Sequence, residues 1–198
     1  MTFKDHFSGH AGIYHAARPT YPAALFDWLA ARAPAQSLAW DAGCGNGQAS
    51  VALAAHFTCV FASDPSAAQI ASAEPGPNID YRVEPAEQCS LGRASADLVT
   101  VAQALHWFDH ARFYAEVRRV LRPGGVFAAW AYADCRVDAA VDAAKDRLYV
   151  DLTGPYWPPE RMHVDAGYRT LPFPFDEIAA PAFGMHASWT LPQFVAYL

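Results

Sequence analysis

Glycine occupies three alternate positions, 43, 45 and 47, in the segment Asp41-Ala42-Gly43-Cys44-Gly45-Asn46-Gly47-Gln48. Before it, SLAWDAG at 37 to 43 is a short apolar run of buried-strand character, and after it NGQASVALAAHF has helical composition. Closely spaced glycines allow backbone to approach a ligand, so a strand, glycine turn and helix in this order mark a small-molecule site as well as a fold.

The same alternation continues along the chain. TCVFASD at 58 to 64 reads as a second buried strand, SAAQIASAE at 66 to 74 as a helix, IDYRVEPAE at 79 to 87 as a third strand and turn, and ADLVTVAQA as a fourth. ARFYAEVRRVLRPGG is a helix with Phe113, Val117, Val120 and Leu121 on one face, stopped by Pro123 and Gly124-Gly125, and GVFAAWAY is a fifth strand. Strands lacking polar alternation, separated by helices, predict a doubly wound α/β fold: a Rossmann-like, mostly parallel central sheet with helices on both faces. An apolar fraction of 53% against 17% charged supplies the core such a sheet needs.

Three regions are expected. Residues 1–36 hold a locally basic arm (Lys4, His6, His10, His15, Arg18) and a first amphipathic helix in AALFDWLAARA after Pro22. Residues 37–134 form the ligand-binding core. Residues 135–198 carry a helix over 137 to 152, a proline- and aromatic-rich lid over 153 to 181 with Trp157, His163 and Tyr168, a late strand over 178 to 191, and a last helix cut short at the chain end, so that the C-terminal part is expected to be incomplete.

Composition excludes several function classes. A net charge of -6 is a poor footprint for nucleic acid. No apolar run approaches the roughly 20 residues of a membrane span, and no secretory h-region follows Lys4, so a cytoplasmic protein is expected. Cys44, Cys59, Cys89 and Cys135 lack CxxC spacing and read as reduced thiols. No acid or cysteine completes a ligand set with His6, His10 and His15, and no metal is expected.

The ligand class follows from the loop's flanks. Gln48 replaces the glycine a dinucleotide fingerprint needs, and GxxxxGK[ST] is absent, which disfavours NAD, FAD and P-loop ATP. Asp41 suits a cationic group such as an ammonium, and Asp64 stands where doubly wound folds place an acid for ribose hydroxyls. A helix cap is the alternative reading for each acid, less suited to Asp41, which sits before the loop rather than at the helix start.

These residues resemble the class I S-adenosylmethionine-dependent methyltransferases: DAGCGNGQ is similar to their motif I, Asp64 to their second acid, and LRPGG at 121 to 125 to the turn before their fifth strand. Tyr14, Arg18-Pro19, Tyr21-Pro22 and QALHWFD at 103 to 109 resemble the small-molecule branch that includes trans-aconitate methyltransferase. The resemblance implies S-adenosylmethionine as cofactor and S-adenosylhomocysteine as product. It implies cofactor contacts from Tyr14, Arg18, Asp41, Gly43, Cys44, Gly45, Asp64, Pro65, Ala86, Glu87, Gln103 and Ala104. Pro85 departs from the family, standing where many relatives carry an acid for the adenine amino group.

His106 is the candidate catalytic residue, readable as a base, a substrate donor or a helix cap. His10, Trp107 and Phe108 are candidate substrate contacts, the aromatics also serving as a wall for a sulfonium or as plain core. The expected activity is methyl transfer to a small-molecule acceptor, a carboxylate or other anionic metabolite, by a monomer or weak homodimer. The alternative is a non-catalytic S-adenosylmethionine-binding or interaction domain on the same fold.

Overall fold

A computed structural model describes residues 19–197. Five strands, β1 (Leu38–Ala42), β2 (Cys59–Asp64), β3 (Ile79–Val83), β4 (Ala96–Ala102) and β5 (Leu121–Trp130), form one sheet in the order β3-β2-β1-β4-β5. Every pairing is parallel. Helix α1 (Ala23–Ala30) precedes β1, α2 (Gln48–Ala54) links β1 to β2, α3 (Ala67–Ala71) links β2 to β3, and α4 (His110–Val120) links β4 to β5. The expected doubly wound architecture is present.

Burial on both faces explains the apolar strands. Trp40, Val99 and Val101 point to the face covered by Phe113, Val117 and Val120 of α4. Ala39, Val60 and Leu98 point to the other face, against Leu25, Phe26 and Leu29 of α1 and Ala49 and Leu53 of α2. Each large side chain so removed from water contributes roughly 1.5–3 kcal/mol. At the amino ends of the strands the buried Asp97 accepts the Ser37 and Leu38 N–H groups and pairs with Arg122 at 2.7 Å, fixing β1, β4 and β5 relative to one another.

Element boundaries differ from the sequence expectation in instructive places. β3 ends at Val83 and the expected turn follows it, whereas α4 passes into β5 at Leu121 without an intervening turn. The helix expected over 137 to 152 is α5 (Ala139–Asp146) continued by a π-helical turn over Arg147–Leu152. The proline-rich stretch holds a short 3-10 turn at Gly154–Tyr156 and α6 (Arg161–Asp165). The late strand is a correction: residues 179–190 contain no strand, because their backbone enters no ladder and Pro181 has no N–H to give one. The last helix is present as α7 (Leu191–Tyr197). Among the described residues no helix is long and apolar enough to cross a membrane.

Candidate functional site

The strand order reverses between β1 and β4, and a crevice at the carboxyl ends of strands at such a reversal is where doubly wound folds bind ligands. Gly43, Gly45 and Gly47 leave β1 there with φ of 68°, 55° and 88°, a region costly for residues with a Cβ. The Gly43 and Cys44 N–H groups both donate to the Ser63 carbonyl at 2.8 and 3.0 Å, which bends the loop over the end of β2. A Cβ on Gly43 would stand 2.8 Å from Ala104 Cβ and 2.9 Å from Phe108 Cζ, so the loop needs glycine to meet the segment after β4. Gly47 caps α2, and a Cβ there would collide with the Tyr81 hydroxyl. At Gly45 a Cβ would meet only Gln69 Oε1, at 3.8 Å, leaving the middle of the loop open.

Asp64 closes this unit. Its Oδ2 accepts the Gly45 N–H at 3.0 Å and its Oδ1 accepts the Ser66 N–H at 2.8 Å. Ser66, rather than Asp64, caps α3 through its side chain, which answers the capping alternative. The carboxylate stays half-buried at the mouth of the loop. Pro65 follows it, also half-buried.

Asp41 lies beneath the loop rather than on it. It is fully buried, and Ser50 Oγ donates to Oδ2 at 2.6 Å while Thr100 Oγ1 donates to Oδ1 at 3.1 Å. Burial raises its pKa to about 6 against the lowering effect of those two hydroxyls, and the nearby Asp64 raises it further. Asp41 therefore pins β1, β4 and the first turn of α2 together below the glycines. Ser50 and Thr100 escaped the sequence reading, although Thr100 is the polar residue inside the apolar run DLVTVA. Burial, with Asp41 and Asp64 close by, holds the Cys44 thiol well above its ordinary pKa.

On the β4 side Gln103 takes φ 61°, its N–H donating to the Trp130 carbonyl and its Nε2 to the Tyr132 carbonyl, both at 3.0 Å. This left-handed turn directs Ala104 onto Gly43 and starts a 3-10 turn at Leu105–Trp107. Phe108 packs on Phe113 with ring centroids 4.8 Å apart, so it belongs to both the core and the loop contact, whereas Trp107 is 37% exposed. Ala86 is buried in the α4-side core, and Glu87 Oε1 accepts the Asp109 N–H at 2.8 Å, which fastens the β3–β4 connection to the start of α4.

His106 Nδ1 lies 3.1 Å from the Tyr168 hydroxyl, and its ring packs on Trp107 with centroids 4.5 Å apart. Burial, reinforced by the nearby His163, lowers its pKa to about 4. Sequence reasoning left Tyr168 unassigned between pocket and surface, and the fold brings it to the switch point. His10, Tyr14 and Arg18 lie outside the described residues. All four cysteines are free thiols, and among the described residues no cluster of His, Cys, Asp or Glu could hold a metal ion.

Residues 40–129 match a family described as a methyltransferase domain. A Dictyostelium discoideum protein assigned to the methyltransferases is 34% identical over 98% of this chain and 76% of its own length. A Saccharomyces cerevisiae protein assigned as an S-adenosylmethionine-dependent methyltransferase is 34% identical over 60% of this chain and 44% of its own. The solved structure of a protein assigned as a type II methyltransferase, from Anaeromyxobacter dehalogenans, is 54% identical with a TM-score of 0.85, covering 91% of this chain and 77% of that one.

Proposed function

This chain belongs to the class I S-adenosylmethionine-dependent methyltransferases, and we propose that its acceptor is a small molecule methylated on a carboxylate or comparable oxygen anion. The residues present fit the cofactor: an open glycine at the centre of the loop and a half-buried acid at the end of β2 that holds that glycine's N–H. When bound, S-adenosylmethionine supplies an electrophilic methyl group on a sulfonium sulfur.

Asp64 is suited to accept the ribose hydroxyls while it holds Gly45 in place. Backbone of Gly43 to Gly45 would lie along the amino-acid portion, with Ala104 and Gln103 opposite it. Buried Asp41 sets the loop's height and, when ionised, adds a negative field favourable to an ammonium. Pro65, Ala86 and Glu87 are proposed to flank the adenine, and Tyr14 and Arg18 to close over the cofactor from the amino-terminal arm. Trp107, Phe108 and His10 are proposed to border the acceptor, with residues 153 to 181 acting as a lid.

The observation that carries the acceptor class is the setting of His106, held between Trp107 and the Tyr168 hydroxyl 3.1 Å from its Nδ1, where burial lowers its pKa and leaves it a weak base at neutral pH. A phenol or amine would need a base poised near the working pH, whereas a carboxylate arrives as a nucleophile and needs only alignment. Alignment of this kind can supply on the order of 7–11 kcal/mol. A panel of small carboxylates including trans-aconitate, incubated with methyl-labelled S-adenosylmethionine, tests the reading. The expected product is an ester that releases labelled methanol in mild alkali. Label that is found only in alkali-stable products, on amines or carbon, would overturn it.

A further inference from the structure

We propose that Tyr168 is a positioning residue that fixes His106 as a neutral ring with its proton on Nε2, so that His106 serves the acceptor as a hydrogen-bond donor rather than as a base. The proposal deepens the carboxylate reading and rests on it for the identity of the group His106 faces.

The segment carrying Tyr168 is anchored on both sides. Downstream, Tyr114 Oη donates to the Pro172 carbonyl and an Arg118 nitrogen to the Pro174 carbonyl, both at 2.8 Å, while Phe173 and Phe175 pack on Phe127 of β5. Upstream, the Tyr168 N–H returns to the His163 carbonyl at 2.7 Å at the end of α6. Between these anchors Gly167 and Tyr168 both take left-handed backbone, φ 56° and 62°. That conformation is uncommon for tyrosine, and here it lays the ring against the turn that begins at the Gly43 contact, with ring centroids of Tyr168 and His106 5.9 Å apart.

The direction of the hydrogen bond follows from the phenol's surroundings. Among the described residues the one hydrogen-bond partner of the half-buried Tyr168 hydroxyl is His106 Nδ1, so donation to Nδ1 is what gives the hydroxyl proton an acceptor. Burial also pushes the phenol pKa up, keeping that proton in place. A neutral imidazole that accepts at Nδ1 carries its hydrogen on Nε2, and among the described residues Nε2 has no partner. Among the described residues, Glu160, Arg161, His163 and His110 are the charged and titratable groups that act on the ring. Arg161, His163 and His110 oppose its protonation and Glu160 favours it.

Long-range proton–nitrogen spectra of the full chain labelled with 15N-histidine, with and without S-adenosylhomocysteine, test this directly. The His106 signals, identified by their loss in His106→Gln, are expected in the Nε2–H form from pH 8 down to pH 5. In Tyr168→Phe the protein is expected to fold and to bind S-adenosylhomocysteine within twofold of the parent, while His106 loses its fixed tautomer. A proton on Nδ1 in the parent protein, an ordinary imidazole titration, or an unchanged tautomer in Tyr168→Phe would overturn the proposal. Loss of S-adenosylhomocysteine binding in the parent protein would count against the methyltransferase reading instead and leave the tautomer result standing by itself.

Discussion

Asp64 Oδ2 holds the Gly45 N–H at 3.0 Å, which places the acid expected to meet a ribose in direct control of the loop expected to meet the rest of the cofactor. Substitution at Asp64 therefore removes two things at once. A charged hydrogen bond lost to a half-buried N–H costs about 1–3 kcal/mol, so Asp64→Ala is expected to weaken S-adenosylhomocysteine by roughly 10- to 100-fold or more. Calorimetric titration measures this, and an affinity within threefold of the parent would refute the role.

The three glycines are not equivalent. Any Cβ at Gly43 or Gly45 meets the left-handed penalty of about 1–2 kcal/mol, but only Gly43 also lacks room, against Ala104 and Phe108. Crowding of that kind adds roughly 1–3 kcal/mol. Gly43→Ala is expected to unfold at clearly lower urea than Gly45→Ala, and equal midpoints would show that the Gly43 contact gives way easily.

Asp41 and His106 pull the pH dependence of stability in opposite directions. The folded pKa of Asp41, about 6, lies above its ordinary 3.8, so the native state binds more protons than the unfolded chain between those values. Stability from this group falls as pH rises from about 4 to 6, by roughly 3 kcal/mol. His106, at about 4 folded against 6.5, does the reverse, and stability from it is lost as pH falls through that window. Asp41→Asn should leave a curve that rises from pH 4 to 6.5, and His106→Gln one that falls over pH 4 to 6. Urea midpoints at half-unit pH steps would show both, and unchanged slopes in the two variants would contradict the burial argument.

Much of this was legible in the sequence because parallel strands buried on both faces appear as unbroken apolar runs, and because Gly43, Gly45, Gly47 and Asp64 sit at fixed distances along one β-α-β unit. What was not legible depends on contacts distant in sequence. Asp41 read as an acid for a cationic ligand group or as a helix cap, and only the approach of Ser50 and of Thr100, 59 residues away, shows it sealed beneath the loop. Tyr168 could not be assigned because its left-handed backbone and its 62-residue separation from His106 leave no local pattern. The strand expected over 178 to 191 failed for the complementary reason: strand-like composition does not make a strand without an edge to pair with.

The most direct test is thermal stability measured in parallel with S-adenosylmethionine, S-adenosylhomocysteine, NAD and ATP. A ligand at 100 times its dissociation constant stabilises by about 2.7 kcal/mol, well within reach of a melting curve. The expected result is a rise with the two sulfur nucleosides, none with NAD or ATP, and no rise in Asp64→Ala. A larger rise with NAD, or none with either sulfur nucleoside, would contradict the assignment of the glycine loop and Asp64 as the cofactor site.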